Sequence, residues 1–313
     1  MQQRPFKQVD VFTATPYLGN PLAVVLDGQG LDDASMQRFA QWTNLSETTF
    51  LLPPLNVAAD YRVRIFTPRG ELPFAGHPTL GSCHSWLQAG GQPWRKDAIV
   101  QECALGLVTI RRAPNSAGKA GNERLAFAAP ALKRSAPSPV VLAEVAAALG
   151  LKVPQILAAQ LLDNGPLWLG LLLDSAETVL QLTPAHLALE NLNLKVGVAG
   201  VYPKTETAPL IARANREARA FSHAASAGTE PVIDLEVRAF AAPIGVAEDP
   251  VTGSLNASLA QWLMAEGYMP ERYVASQGAC LGRAGLLYLQ RDAAGQVWVG
   301  GDSVTCMDGS VTL

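Results

Sequence analysis

Basic runs, long apolar stretches and paired cysteines are all missing from this 313-residue chain. Nowhere do four Lys or Arg residues follow one another, and the net charge is −3. Nucleic acid and anionic membrane surfaces are recognised through a clustered basic footprint, so neither is an expected partner. The longest apolar run, Pro166 to Leu173, is far too short to span a bilayer. The first residues lack the apolar core of a signal peptide. Cys83, Cys103, Cys280 and Cys306 lie far apart, without the spacing of a zinc site or a disulfide framework. They read as reduced thiols of a cytoplasmic protein, and no metal is expected. The chain also has no Gly-x-Gly-x-x-Gly or phosphate loop, which argues against a nucleotide cofactor. Without a Gly-x-Ser-x-Gly elbow, Ser46, Ser82 and Ser254 are poor candidates for nucleophiles.

What is abundant is apolar material: 49% hydrophobic against 16% charged residues, enough for large cores in two domains of ordinary size. Alternation predicts strands at Gln8–Phe12, Leu22–Leu26, Thr48–Leu52, Tyr61–Phe66, Ile99–Cys103 and Leu107–Arg111. Helical spacing predicts helices from Asp32 or Asp33 to Trp42 and from Pro78 to Gln88. Ala113 to Asn122 reads as a surface loop and Ala129 to Pro139 as a linker. A second round follows: helices at Val140–Leu149, Pro184–Leu189 and Leu255–Ala265, with strands at Leu167–Leu173, Val196–Tyr202, Ile211–Ala214 and Ile233–Phe240. Tail strands are expected at Leu286–Leu289, Val297–Val299 and near Val304. The pattern is α+β, divided at residues 1–128 and 129–313, with the last strand free to return to the first domain.

The halves share residues as well as element order. Arg64-Ile-Phe66 recurs as Arg238-Ala-Phe240, and His77-Pro-Thr-Leu-Gly-Ser82 as Asp249-Pro-Val-Thr-Gly-Ser254. Trp86-Leu87 before Gly90 recurs as Trp262-Leu263 before Gly267. Two copies of one domain facing across a cleft would aim two helix N-termini at the same space. Their unpaired N–H groups suit a carboxylate. Gly76, Ser82, Gly253 and Ser254 are the candidate substrate-binding residues, since small residues let a ligand approach the backbone.

His77 and Asp249 are the titratable residues of the paired turns, although Asp249 could simply cap a helix. Glu47, in Asn44-Leu-Ser-Glu-Thr-Thr-Phe50, is flanked by apolar residues; partial burial would raise its pKa toward the range of a general base. It could equally be a strand-edge glutamate. His84, His186 and His223 read as structural or exposed, Arg64 and Arg283 as ion-pair partners, and Trp42, Trp86 and Trp262 as core.

Taken together, Gly19-Asn-Pro-Leu-Ala-Val24, Asn44 to Phe50, Phe66-Thr-Pro68, Glu71 to Thr79 and Glu248 to Ser254 resemble the phenazine-biosynthesis PhzF-like family, of the diaminopimelate epimerase fold. Gln277-Gly278, Gly282-Arg283 and Gly300-Gly301 also fit. The resemblance implies two similar domains, each a β-barrel-like sheet around a central helix, with the site in the interdomain cleft. It further implies a homodimer, no cofactor, a small carboxylate-bearing substrate, and Glu47 as the acid/base with His77, Asp249 and Ser254 as companions. The wider fold group uses a cysteine at each helix-start turn; here both turns lack one. The expected activity is therefore a cofactor-independent isomerase that moves a proton by acid/base catalysis. An amino- or hydroxy-acid epimerase with Glu47 and Asp249 as paired bases, and a non-catalytic binding protein, are the rival readings.

Overall fold

The computed structural model describes residues 1–113, 124–203 and 231–313. The loop expected after Ala113, the strand at Ile211–Ala214 and His223 lie outside the described residues.

The first half runs β1 (Gln3–Val11), β2 (Asn20–Val25), α1 (Asp33–Thr43), β3 (Glu47–Leu52), β4 (Tyr61–Thr67), β5 (Gly70–Leu72), α2 (Gly76–Gln88), β6 (Ala98–Cys103), β7 (Gly106–Ala113) and β8 (Arg124–Ala128). The second runs β9 (Lys133–Ser135), α3 (Pro139–Leu149), β10 (Ile156–Asp163), β11 (Leu167–Leu173), α4 (Ala176–Gln181), α5 (His186–Asn191), β12 (Lys195–Val201), β13 (Leu235–Ala241), β14 (Val246–Asp249), α6 (Gly253–Ala265), β15 (Arg272–Gln277), β16 (Gly285–Arg291), β17 (Val297–Gly301) and β18 (Ser303–Thr312).

Strand pairing is the same in both halves. In the first, β1–β2 is antiparallel, β2–β3 parallel, β3–β4 antiparallel, β4–β6 parallel, then β6–β7 and β7–β8 antiparallel. In the second, β10–β11, β11–β12, β12–β13, β13–β15, β15–β16 and β16–β17 repeat that order of directions. The halves join where β8 pairs with β17. Each sheet gains one outer strand, β18 against β1 and β9 against β10.

Helix α2 touches β1, β2, β3, β6, β8 and β18, while α6 touches β10, β11, β16 and β17. Each is the axle around which its sheet curls, in an α+β fold of the diaminopimelate epimerase type. Burial all round requires small or apolar residues on every face. Gly76, Gly81, Ser82, Cys83 and Ser85 supply them in α2, and Gly253, Ala257, Ser258 and Ala260 in α6; all are buried. One apolar core runs through both halves, from Val9, Leu22 and Leu80 to Trp262, Leu289 and Val299. Among the described residues no helix is long and apolar enough to cross a membrane.

The strand registers refine the internal repeat. Ile65 faces Leu72 in the β4–β5 hairpin as Ala239 faces Asp249 in β13–β14. The matching segments are therefore Glu71-x-Pro73-x-x-Gly76 and Glu248-x-Pro250-x-x-Gly253. The hexamer match from His77 and Asp249 was five residues out of step: His77 corresponds to Ser254, and Asp249 to Leu72. Arg64 clasps Glu71 and Arg238 clasps Glu248, each with its guanidinium about 5 Å from a Phe ring, at 5.0 and 5.1 Å.

Trp42 departs from expectation. It is 81% exposed, because α1 buries the face carrying Met36, Phe39 and Ala40, and position 42 lies off that face.

Candidate active site

Asn44 ends α1 in the left-handed conformation (φ 52°), which Asn tolerates better than most residues, and turns the chain into β3 with Glu47 at its first position. Glu47 Oε2 lies 3.4 Å from Nε2 of His77, the second residue of α2. Asn20, the first residue of β2, links the halves. Its amide donates to Asp249 Oδ1 and to the Val251 carbonyl, both at 2.9 Å, and lies 3.3 Å from His77 Nδ1. Its carbonyl oxygen accepts from the Ser46 hydroxyl at 3.3 Å. Thr252 donates to Asp249 Oδ2 at 2.6 Å, and Gln277 to the Asp249 carbonyl at 2.9 Å. Among the described residues Arg283 makes no ion pair: it donates to the carbonyls of Tyr17 and Gly19, fastening the loop that leads into Asn20.

The two helix starts meet beside this cluster. A Cβ on Gly76 would come 2.8 Å from Gly253 Cα, so only glycine allows the approach. Neither helix has a side-chain cap on its first turn, since Ala75 cannot provide one and the Thr252 hydroxyl is turned to Asp249. Buried helix ends with uncapped N–H groups need partners from elsewhere.

Glu47, His77, Asp249, Gly76, Gly253 and Ser254 therefore lie at or beside the meeting point of α2 and α6. Ser82 does not. It is fully buried one turn and a half further along α2, with its hydroxyl donating to Thr49 at 2.9 Å. Ser82 matches Ser254 only in the misregistered hexamer.

Burial, and after it the nearby Asp249 carboxylate, push the Glu47 carboxyl up to about 8. Burial pushes Asp249 up to about 6, against hydrogen bonds from Thr252 and Asn20 that favour its ionised form. Burial drives His77 down to about 3, opposed by the Pro21 carbonyl, so its ring is neutral at physiological pH. Oε2 of Glu47 and Nε2 of His77 are both sealed from solvent, and neither completes a well-formed hydrogen bond among the described residues. The Glu47 side chain nonetheless keeps 15% of its surface exposed, a narrow opening to the outside.

Residues 9–309 match the family described as phenazine biosynthesis-like protein. This chain belongs to that family. It is 34% identical to antisense-enhancing sequence 1 of Schizosaccharomyces pombe, across 99% of each chain. With the trans-2,3-dihydro-3-hydroxyanthranilate isomerase of Pseudomonas aeruginosa it shares 32% identity, over 97% of this chain and 98% of the relative. The crystal structure of the Bacillus anthracis phenazine biosynthesis protein of the PhzF family superposes over the whole of both chains with a TM-score of 0.78 at 22% identity. This PhzF-like chain is an isomerase.

Asn20, Ser46, Thr252, Gln277 and Lys195 were not singled out as site residues from the sequence. Asn20, Ser46, Thr252 and Gln277 stand in segments that carry the family resemblance, and that is the available signal; Lys195 does not. Among the described residues, no group of His, Cys, Asp and Glu is placed to hold a metal ion.

The raised Glu47 pKa carries a stability prediction. The folded state binds this proton more tightly than an unfolded glutamate, whose pKa is near 4.5. The associated stabilisation is complete below pH 4.5 and is lost as pH rises through 8. Glu47→Gln has no such proton to lose. Its melting temperature relative to wild type is expected to rise from pH 5 to about pH 8 and level off above it in scanning calorimetry; a difference that is constant or falls between pH 5 and pH 8 contradicts the assignment.

Proposed function

We propose that this PhzF-like isomerase moves a proton between two carbons of a small, unsaturated carboxylate, with Glu47 as the acid/base. The observation that carries the proposal is Glu47, held 3.4 Å from a neutral buried His77 and beside Asp249 at the meeting of two uncapped helix starts. Glu47 takes a proton from a carbon next to the unsaturation, leaving the negative charge delocalised toward the carboxylate. A proton is then returned to another carbon of the same conjugated system, so the atoms of substrate and product balance. His77, neutral because its pKa is held near 3, orients Glu47 and is a poor proton donor. Asp249, pushed up only to about 6, is ionised whenever Glu47 is, so the returned proton comes from Glu47 itself after exchange with solvent. The substrate carboxylate faces the free N–H groups at Gly76 and Gly253.

Paired carboxylate bases fit less well. Both oxygens of Asp249 already accept hydrogen bonds, and Asn20 ties it to the same side as His77. The compound for which the Pseudomonas aeruginosa relative is named, trans-2,3-dihydro-3-hydroxyanthranilate, is the first to test, with a homodimer in the cytoplasm as the proposed setting. In deuterated water, NMR should show deuterium entering the product carbon. Deuterium appearing only at a stereocentre of recovered starting material would point to epimerisation instead.

Thiol chemistry has no support in the same geometry. Cys83 is fully buried and pushed up to about 12 by burial, and burial raises Cys103, Cys280 and Cys306 as well. A chain with all four cysteines replaced by Ser or Ala is expected to keep turnover within a few-fold of wild type. Inactivation by a thiol reagent at one cysteine, prevented by substrate, contradicts the carboxylate mechanism.

A further inference from the structure

The repeat that relates the halves assigns a counterpart to Glu47. Glu47 pairs with Leu22 of β2, and its neighbour Thr48 with Phe66 of β4. In the second half, Lys195 pairs with Trp168 of β11, and its neighbour Val196 with Phe240 of β13. Phe66 and Phe240 are equivalent, each two residues after the repeated arginine. Lys195 therefore occupies the position in the second half that Glu47 occupies in the first. By the same repeat, Ser254 of α6 stands where His77 stands in α2.

The fold is repeated, but the chemistry is not. A carboxyl and an imidazole mark one helix start; an ammonium and a hydroxyl mark the other. Ser254 is only 8% exposed, and its hydroxyl has no hydrogen-bond partner among the described residues. Lys195 makes no hydrogen bond or ion pair among them either; its Nζ rests 5.0 Å from the centre of the Trp168 ring. An ammonium carries three donors and no acceptor, so a half-buried one without a carboxylate partner is suited to an incoming anion.

We propose that Lys195 and Ser254 form the anion-binding side of the site, with Lys195 pairing with the substrate's carboxylate at the start of α6. Glu47 and His77 then work on the opposite side of the same molecule. This rests on the proton-shift reading given above and adds a division of labour between the halves. Burial lowers the Lys195 ammonium below its ordinary range, and Glu47 and Asp249 nearby act against that lowering.

The probes are anthranilate and its neutral amide, anthranilamide, titrated by calorimetry into the full-length protein. A charge-assisted contact is worth about 1.5–3 kcal/mol, on the order of 10- to 100-fold in affinity. Lys195→Met is expected to weaken anthranilate at least about 10-fold and leave anthranilamide within about twofold. Lys195→Arg should retain most of the preference for the anion, and added salt should weaken anthranilate in wild type more than in Lys195→Met. Equal losses for both probes, no loss for either, or no binding of anthranilate to wild type at millimolar concentration overturns the proposal. Failure here leaves the Glu47 test standing: normal turnover by Glu47→Gln removes the proton-shift reading, whereas unchanged binding by Lys195→Met removes only the anion side.

Discussion

Glu47→Gln is expected to lower turnover by at least about 10²-fold, the lower end of what a positioned general base contributes. Glutamine keeps the length and hydrogen-bonding capacity of the side chain, so contact with His77 can persist while the proton acceptor is gone. Substrate binding should remain near wild type, because the lost interaction belongs to the transition state. The pH profile adds a second signature. With its carboxyl pushed up to about 8, Glu47 is mostly protonated in the free protein at neutral pH and must lose that proton to act as a base. In wild type, kcat/KM should therefore rise with pH and level off above about 8. Whatever residual rate Glu47→Gln retains should lack that limb. Glu47→Asp keeps the carboxylate but withdraws it by one methylene, and a small residual activity is expected. Wild-type turnover by Glu47→Gln would falsify the mechanism.

How much of this was legible in the sequence depends on how local each signal was. The strongly alternating or apolar segments, such as β4 (Tyr61–Thr67) and β11 (Leu167–Leu173), were readable because their burial follows from their own residues. β10 (Ile156–Asp163) was not: Ile-Leu-Ala-Ala-Gln-Leu-Leu-Asp has no alternation, and most of its residues are only half buried. β15 (Arg272–Gln277) is short and half polar, and it is ordered by pairing with β13 and β16 on either side. β9 lay inside the segment read as a linker, and it exists through three residues of pairing with β10.

The candidate site shows the same division. Glu47, His77 and Asp249 stood out because they are titratable and lie next to turns or helix starts. Asn20 carries no charge, and its importance comes from bonds to Asp249 and Val251, 229 and 231 residues away. Lys195 became visible only through the registers of two strand pairs. The internal repeat was legible as similarity but not in its phase. His77-Pro and Asp249-Pro look equivalent in a line of letters, whereas the pairing within each of the two β-hairpins sets the true alignment five residues away.

Gly253→Ala is expected to damage both stability and turnover, and the reason lies in that corrected phase. The new methyl would sit 2.9 Å from Gly76 Cα, 3.1 Å from its carbonyl carbon and 3.2 Å from the His77 nitrogen. All three are backbone atoms of α2, so no side chain can swing aside to make room. Overpacking of this kind costs about 1–3 kcal/mol, and here it is relieved only by moving the start of α6 away from α2. That movement separates His77 and Glu47 from Ser254. A displacement of about 1 Å at a reacting centre can cost on the order of 10²-fold in rate. The control is Gly81→Ala, one turn further along α2. Its methyl would meet side-chain carbons of Leu22, Val11 and Val9 at 2.6, 2.9 and 3.1 Å. Those branches can shift, so Gly81→Ala should lower the melting temperature while the folded protein keeps turnover much closer to wild type. Calorimetry and turnover measured on both variants separate the outcomes: if Gly253→Ala melts and turns over like wild type, the two helix starts do not meet as closely as the site requires.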